Sequence, residues 1–331
     1  MYKKLLLLLG LYTLQACAQQ PGYAVVKTYS IKSPGGWDYI RLHKGRLYVS
    51  HSTQVNILDA ATGDSIGIIP ETIGVHGIAF DDALNHGYTS NGRLNNVTVF
   101  DLTTNKVLAQ VATGENPDAI FFEPFTGTII TCNGRSHSLS LIDPKTNTVI
   151  QTIEVGGKPE EAVSDGKGHL FVNLEDRNEV AAVDLQSHKL TARWPLDAEG
   201  PTGLAYDKAT NRLFSGCEGK LVVLDAANGK VVARVRIGEG CDGVAFNEAK
   251  KFIYTSNGQS GNLSVIREND ADHYALVGNY PTKRGARTLC FDEASQTIYL
   301  PTADFEASAA GARPQLKPGS FQVLVVTYKV E

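Results

Sequence analysis

Short runs of alternating apolar residues, separated by polar turns, follow one another along most of the chain. Residues 86–119 show the pattern once: runs at 87–90, 97–101 and 107–111 are followed just beyond the unit by a fourth run at 120–122. Asn, Gly and Pro lie between these runs. Alternation interrupted by such residues is typical of β-strands joined by tight turns. The pattern therefore predicts four strands per unit.

The unit recurs at a nearly constant spacing. The aspartate that closes one of its runs lies at Asp59, Asp101, Asp143, Asp184 and Asp225, in steps of 42, 42, 41 and 41 residues. The run before it occurs seven times. A repeat of about 40–45 residues with four strands is typical of a propeller blade. The sequence therefore predicts an all-β, seven-bladed β-propeller, in which the repeated aspartate caps a turn by accepting backbone N–H bonds.

The two ends of the chain are expected to close the ring. Residues 23–33 match the third run of a copy but precede every other run, whereas the last copy stops after residues 320–328 without a final strand. The N-terminal strand should complete the last blade beside residues 320–328. Such closure removes exposed sheet edges.

The recurring runs also carry a family resemblance. Leu47-Tyr48-Val49-Ser50 and Ile253-Tyr254-Thr255-Ser256-Asn257 approximate a Tyr-Val-Thr-Asn tetrapeptide. In this respect the chain resembles the YVTN-type (YncE-like) seven-bladed β-propeller family over almost all residues after 22. The resemblance implies the propeller fold. It implies no particular activity, because members of that family have differing or unknown roles.

The first 22 residues are interpreted as a targeting segment, and residues 23–331 as one propeller domain. Lys3-Lys4 precede an apolar run at 5–14 that is too short to span a bilayer. Leu14-Gln15-Ala16-Cys17 resembles a bacterial lipoprotein box, which predicts lipidation of Cys17 and an exported lipoprotein, periplasmic or on the outer membrane or cell surface of a bacterium. The alternative is ordinary secretion with cleavage near Ala18-Gln19.

Charge and cysteine content narrow the function classes. The net charge is -4, and it becomes -6 without Lys3 and Lys4. An acidic domain is a poor candidate for nucleic-acid binding, which depends on neutralising phosphates. Cys132 and Cys290 are predicted to be buried and free. Cys217 and Cys241 fall in two loops on the same face, where a disulfide is one hypothesis.

Function is expected where the copies differ on one face, around the mouth of the central channel. The residues just before the inner strands should ring this mouth: Asp38, His76, Asp118, Glu161, Thr202, Asp242 and Arg287. Within this ring, His76, Asp118, Glu161 and Asp242 are candidate ligands for a divalent metal, calcium or zinc, because oxygen and imidazole donors suit such ions. The alternative is that these side chains cap nearby backbone N–H groups.

A second set of candidate site residues lies in the loops of adjacent blades. Arg93 and Arg135 each follow an Asn-Gly pair, which includes Asn91 or Asn133, and Arg177 occupies the next loop. With Arg287 near the centre and Trp37 on the same face, these residues form a candidate binding site for a small anionic ligand, since Arg matches carboxylate or phosphate. The alternative is that each Arg pairs with a neighbouring acid.

The sequence thus predicts an exported binding or scaffold protein that recognises a ligand or partner protein on its loop-rich face. We expect a monomer that touches the membrane only through its lipid. No nucleophile motif, phosphate-binding glycine loop or haem motif is present in the sequence, so an enzyme is the weaker reading. The alternatives are a metal-assisted hydrolase of the lactonase type at the acidic mouth and, less favoured, nucleic-acid binding through the arginines.

Overall fold

The structure, a computed structural model, describes residues 21–306 and 315–330 and confirms the predicted seven-bladed β-propeller. The first strands are β1 (Gly22–Ser30), β2 (Trp37–His43), β3 (Arg46–His51), β4 (Gln54–Asp59), β5 (Ser65–Ile69), β6 (Val75–Asp81), β7 (His86–Asn91), β8 (Asn96–Asp101), β9 (Val107–Ala112), β10 (Pro117–Glu123), β11 (Thr128–Asn133), β12 (Ser138–Asp143), β13 (Thr148–Glu154) and β14 (Pro159–Ser164). The others are β15 (His169–Leu174), β16 (Glu179–Asp184), β17 (Lys189–Pro195), β18 (Leu204–Asp207), β19 (Arg212–Cys217), β20 (Lys220–Asp225), β21 (Val231–Arg236), β22 (Cys241–Asn247), β23 (Phe252–Asn257), β24 (Asn262–Asp270), β25 (His273–Pro281), β26 (Cys290–Asp292), β27 (Thr297–Thr302) and β28 (Gln322–Lys329).

Each blade is a four-stranded antiparallel sheet. Blades 1 to 6 use consecutive strands, from β2-β3-β4-β5 to β22-β23-β24-β25. The seventh has the order β26-β27-β28-β1, so the N-terminal strand completes it as the sequence predicts. β1 pairs with β28 from Gly22↔Lys329 to Ser30↔Gln322. A single 3-10 turn, Glu175–Arg177, interrupts the β-structure of the described chain.

The core fills the space between blades. Tyr48 of blade 1 and Phe100 of blade 2 are fully buried with their ring centroids 6.1 Å apart. At the ring closure, the Tyr23 hydroxyl lies 2.8 Å from that of Tyr254 in blade 6. Each large side chain buried in this way contributes about 1.5–3 kcal/mol. The alternating apolar positions of the sequence thus become the contacts that hold the blades side by side.

The repeated aspartates cap turns, as predicted. Asp101 Oδ1 accepts the backbone N–H groups of Thr103 and Thr104 at 3.1 and 2.7 Å. Asp59 accepts those of Ala61 and Thr62, both at 2.9 Å. These backbone hydrogen bonds lower the pKa of Asp59 and of Asp101. The turns join the third and fourth strands of a blade, on the face opposite the channel mouth.

The remaining sequence predictions about local features have mixed outcomes. Cys217 and Cys241 are buried free thiols, so the structure contains no disulfide between them; Cys132 is buried, whereas Cys290 keeps partial exposure. Cys17, the predicted lipidation site, lies outside the described residues. Within residues 21–306 and 315–330, no helix is long and apolar enough to cross a bilayer.

Candidate ligand site at the channel mouth

A bulge at the start of four of the inner strands sets four residues of the channel mouth. In blade 1, Trp37 pairs with His51 and Ile40 with Val49, so Asp38 and Tyr39 together oppose one residue of β3. The same two-against-one arrangement occurs in β6, β10 and β14. Bulges of this kind redirect side chains. The first residue of each bulge lines a cavity at the mouth of the channel: Asp38, His76, Asp118 and Glu160.

Backbone bonds from neighbouring strands fix these bulges. The Ser50 hydroxyl accepts the N–H of Asp38 at 3.2 Å and donates to the carbonyl of Tyr39 at 3.0 Å. The Thr288 hydroxyl of blade 7 donates to the carbonyl of Asp38 at 2.6 Å, and the Ser90 hydroxyl of blade 2 donates to that of Asp118 in blade 3. The ring residues therefore project from backbone that hydrogen bonds hold in place.

In blade 4 the structure places Glu160, rather than the predicted Glu161, in the ring. Pro159 pairs with Leu174 and Ala162 with Val172, which makes Glu160 the counterpart of Asp118. The hydrophobic pattern had placed the start of this inner strand one residue too late. The Pro-acid pairs Pro117-Asp118 and Pro159-Glu160 could have corrected it.

Five ring residues from five consecutive blades form a continuous chain of charge. Arg287 of blade 7 pairs with Asp242 of blade 6 through one guanidinium nitrogen, and with Asp38 of blade 1 through another at 3.2 Å. His76 Nδ1 of blade 2 lies 2.5 Å from Asp38 Oδ2 and 3.7 Å from Asp118 Oδ1 of blade 3. The chain runs Asp242, Arg287, Asp38, His76, Asp118, and alternates in sign.

The pKa values of the side chains in this row of charges are shifted in different directions. Burial would raise the pKa of Asp38, but the charge of Arg287 and the hydrogen bond with His76 outweigh it and lower that pKa. Burial would also lower the pKa of His76, yet the hydrogen bond with Asp38 and the charge of Asp118 raise it to about 9. Asp118 has its pKa raised to about 7 by burial and by the charges of Asp38 and Asp242, against the attraction of His76.

Asp118 differs from the other acids because it lacks a hydrogen-bond donor. The residue is 8% exposed. Within the described residues its carboxylate accepts no hydrogen bond, and its nearest cation is His76 Nδ1 at 3.7 Å. A buried carboxylate without donors is unfavourable unless something else pairs with it.

The other wall of the cavity carries a second charge cluster. Lys158 lies 2.7 Å from Glu160 and also pairs with Glu175. Burial raises the pKa of Glu160, with the charge of Asp118 adding to the effect. Lys158, Glu160 and Glu175 were not among the site residues predicted from the sequence. Only Lys158-Pro159-Glu160, equivalent to Asn116-Pro117-Asp118, gave a signal for them.

An ion pair spans the channel deeper than the ring residues. Arg41 of blade 1 reaches Glu161 of blade 4 at 3.3 Å, which requires the pair to cross the channel axis. The Arg41 guanidinium also lies over the ring of Tyr39, 5.1 Å from its centroid. Neither Arg41 nor Glu161 lines the channel-mouth cavity, which has a volume of about 510 Å³. The pair therefore joins opposite blades of the propeller beside the cavity.

The structure does not bring the predicted metal set together. Glu161 pairs with Arg41 across the channel, and Asp242 pairs with Arg287. A different group does assemble, because donor atoms of Asp38, His76 and Asp118 all lie within 4.8 Å of one another. Two carboxylate oxygens and one imidazole nitrogen fit a divalent cation, provided that His76 gives up its proton.

The predicted anion-binding arginines lie apart from the cavity, with one exception. Arg93, Arg135 and Arg177 are exposed and do not line it, whereas Arg287 does. Arg177 bonds the carbonyl of Gly156 at 3.2 Å and lies 3.7 Å from Asp176. The anionic-ligand hypothesis for these loops remains a prediction.

The remaining predicted ligand residues have structural contacts. Asn91 and Asn133 are fully buried. The amide of Asn91 donates to Asn96 and Thr98, both at 2.8 Å, and Asn133 bonds equivalent partners in its own blade. Trp37 stacks on Phe321, with centroids 5.7 Å apart. Its carbonyl accepts a bond from Arg287 at 2.9 Å, so its contribution to the site is to orient that arginine.

Comparison with known proteins supports the fold alone. No protein-family model matches the chain, and no curated protein matches it either. Among solved structures, it is similar to a chain of the Kuenenia stuttgartiensis hydrazine synthase, with a TM-score of 0.72 and 16% identity, over 82% of this chain and 94% of that one. Membership of the YVTN-type family therefore stays a prediction from the repeats.

Proposed function

We propose that the protein is an exported, lipid-anchored binding protein that holds a small polar ligand in its channel-mouth cavity. The observation that carries the proposal is a channel-mouth cavity of about 510 Å³, lined by charged side chains from several blades. Cavities of roughly 300–1,000 Å³ are typical of small-molecule sites. The propeller fold itself is compatible with binding but selects no ligand.

The nucleophilic side chains at the cavity favour binding over covalent catalysis. The Thr202 hydroxyl donates to the carbonyl of Cys241 at 2.7 Å. The Cys241 thiol is buried, and burial raises its pKa well above the usual value. A neutral thiol is a poor nucleophile. Both side chains therefore act as parts of the wall.

The binding proposal is tested by blocking the cavity. Gln259 is exposed at its rim, whereas Gln186 is exposed in a turn on the opposite face. Wild type, Gln259→Trp and Gln186→Trp would be screened by thermal shift against amines, amino acids, sugar acids, nucleotides and divalent metals. We expect compounds that stabilise wild type and Gln186→Trp but lose their effect on Gln259→Trp. A screen without such a compound would contradict a small-molecule site.

Export and anchoring are tested separately at Cys17. If the lipoprotein box is used, Cys17→Ser should move the protein from the membrane fraction to the soluble exported fraction. A wild-type protein that is already fully soluble after secretion would contradict the anchor.

A second candidate function is a metal-assisted hydrolase, which the cluster of Asp38, His76 and Asp118 favours. A divalent cation held there would polarise a substrate carbonyl. Elemental analysis of purified wild type and His76→Gln tests it. Stoichiometric calcium or zinc in wild type, lost in His76→Gln, would support this function and justify a lactonase assay. Equal, substoichiometric metal in both proteins would contradict it.

A further inference from the structure

The charges of the channel-mouth cavity are mostly paired with one another. Asp38 and Asp242 share Arg287, and Glu160 shares Lys158 with Glu175. A ligand gains little from contacting a charge that is already neutralised, because it must first compete with the internal partner. Recognition is therefore expected at the charges that have no such partner.

Deep in the cavity, the charged residue without a strong internal partner is Asp118. It is 8% exposed, accepts no side-chain hydrogen bond from the described residues, and lies 3.7 Å from His76. The nearby hydroxyl of Thr202 cannot compensate, because it donates to the carbonyl of Cys241. His76 is in turn held at 2.5 Å by Asp38. A ligand group that donates several hydrogen bonds and carries one positive charge would complete this wall.

At the rim, Arg284 and Glu218 line the cavity without an ion-pair partner among the described residues. Glu218 accepts the backbone N–H of Gly240 at 3.0 Å, so Arg284 is the rim charge that a ligand carboxylate would pair with. The Arg284 side chain is exposed, and its guanidinium lies 6.0 Å from the centroid of Phe305, which also lines the cavity. This stacking leaves the edge of the planar fork available for a carboxylate.

We propose that the ligand is a small zwitterion, with a protonated amine that pairs with Asp118 inside the cavity and a carboxylate that pairs with Arg284 at the rim. The inference rests on the proposed function, since it requires a ligand in the channel-mouth cavity. An ammonium group fits better than a divalent cation here, because Arg287 and His76 already supply positive charge to Asp38. One further unit of positive charge is what Asp118 requires.

Three series of probes, matched in carbon-chain length, test the contacts with Asp118 and Arg284 separately. The full protein would be titrated by calorimetry with linear ω-amino acids of four to eight carbons, with the diamines and with the dicarboxylates of the same lengths. We expect one or two ω-amino acids to bind at least about tenfold more tightly than either matched series. A charge-assisted contact is worth about ten- to a hundredfold in affinity.

Three variants assign the contacts. Asp118→Asn should weaken ω-amino acid and diamine binding about ten- to a hundredfold, and Arg284→Gln should weaken ω-amino acid but not diamine binding, by about three- to tenfold because the side chain is exposed. Arg236→Gln is the matched control and should change neither affinity, because Arg236 is an exposed arginine outside the cavity. Circular dichroism and melting temperature check that each variant is folded.

Several outcomes would overturn the inference. It fails if dicarboxylates bind best, if ω-amino acids bind wild type and Asp118→Asn equally, or if manganese alone binds and His76→Gln removes it. It also fails if none of the three series binds. Where a compound does bind, the Gln259→Trp variant separates the two proposals: binding that this variant abolishes keeps the channel-mouth cavity as a binding site, although the proposed pairing with Asp118 and Arg284 is then wrong.

Discussion

The turns on the far face and the channel mouth use aspartate in opposite ways. Asp101 lies in a surface turn, accepts two backbone N–H groups, and has a lowered pKa. Asp118 is buried, accepts no hydrogen bond within the described chain, and has its pKa raised to about 7. The same residue type thus caps a turn in one region and faces a cavity in the other. A mostly buried carboxylate with a raised pKa at a cavity wall supports the proposed ligand site.

The two regions also differ in how the repeat constrains them. In the far turns each aspartate serves its own blade, so the same residue suits every copy. At the mouth the bulged backbone repeats from blade to blade, whereas the side chain at its first position changes from Asp38 to His76 and Asp118. The fold fixes where these side chains lie, and their identities determine the chemistry.

The largest loss of stability is expected when the arginine shared by two acidic ring residues is removed. Arg287→Ala leaves Asp38 and Asp242 without their common partner. The side chain is 39% exposed, so solvent screens part of the loss, and we expect a destabilisation of about 2 kcal/mol. This corresponds to a melting temperature lower by about 3–6 °C. Calorimetric melting at pH 7 measures it.

Arg284→Ala is the matched control for this change. Arg284 lines the same cavity but has no acidic partner among the described residues, so its melting temperature should remain within about 1 °C of wild type. Equal losses in both variants would show that the ring charges do not act as the paired network described above.

A smaller effect is expected at the far turns. Asp101→Ala removes the acceptor of two backbone N–H groups at a position that water can reach. Water replaces part of the lost bonding, and the melting temperature should fall by about 1–2 °C. Ligand affinity at the cavity should not change. A change in affinity would mean that the two faces are coupled.

The smallest effect on the cavity is expected at the exposed arginines. Arg135 does not line the cavity, so Arg135→Ala should alter cavity binding less than about twofold and stability by less than about 0.5 kcal/mol. The alternative hypothesis of an anionic ligand on these loops expects about a ten- to hundredfold loss instead. Calorimetry with wild type and Arg135→Ala, using the same compound, decides between them.

The fold was predictable because the sequence features that specify it repeat at a nearly constant spacing. The aspartate spacing and the alternating runs specify blades and turns, and the missing final strand specified that β1 closes the ring beside β28. Six of the seven predicted ring residues line the cavity for the same reason.

The details of the site were not predictable from one sequence. Glu160, and not Glu161, occupies the ring because Pro159 is the counterpart of Pro117 in the strand register, and hydrophobic alternation alone does not fix that alignment between the two copies. The pairing of Arg41 with Glu161 across the channel joins residues 120 positions apart. Whether Asp118 has a hydrogen-bond donor likewise depends on residues that are far from it in the sequence. Spacing therefore located the ring, but only tertiary structure shows which of its charges are compensated.

The most direct test of the account is the pH dependence of stability in Asp118→Asn. The folded-state pKa of Asp118, about 7, lies above the ordinary value of 3.8, so its protonated form is stabilised by folding. This contribution is present at low pH and is lost as the pH rises through 7. The groups that face Asp118 are His76, whose pKa is about 9, with Asp38, Asp242, Lys158 and Glu160.

Wild type and Asp118→Asn would be melted at pH 5 and at pH 8, with Asp101→Asn as the control. At pH 5 the melting temperatures of wild type and Asp118→Asn should differ less than at pH 8, because folded Asp118 is mostly protonated at pH 5 and only part of its contribution has been lost above the unfolded-state pKa of 3.8. At pH 8 Asp118→Asn should be the more stable protein, while Asp101→Asn should be less stable than wild type at both values. An Asp118→Asn variant that is less stable than wild type at pH 8 would show that the fold already compensates this carboxylate, which contradicts the account.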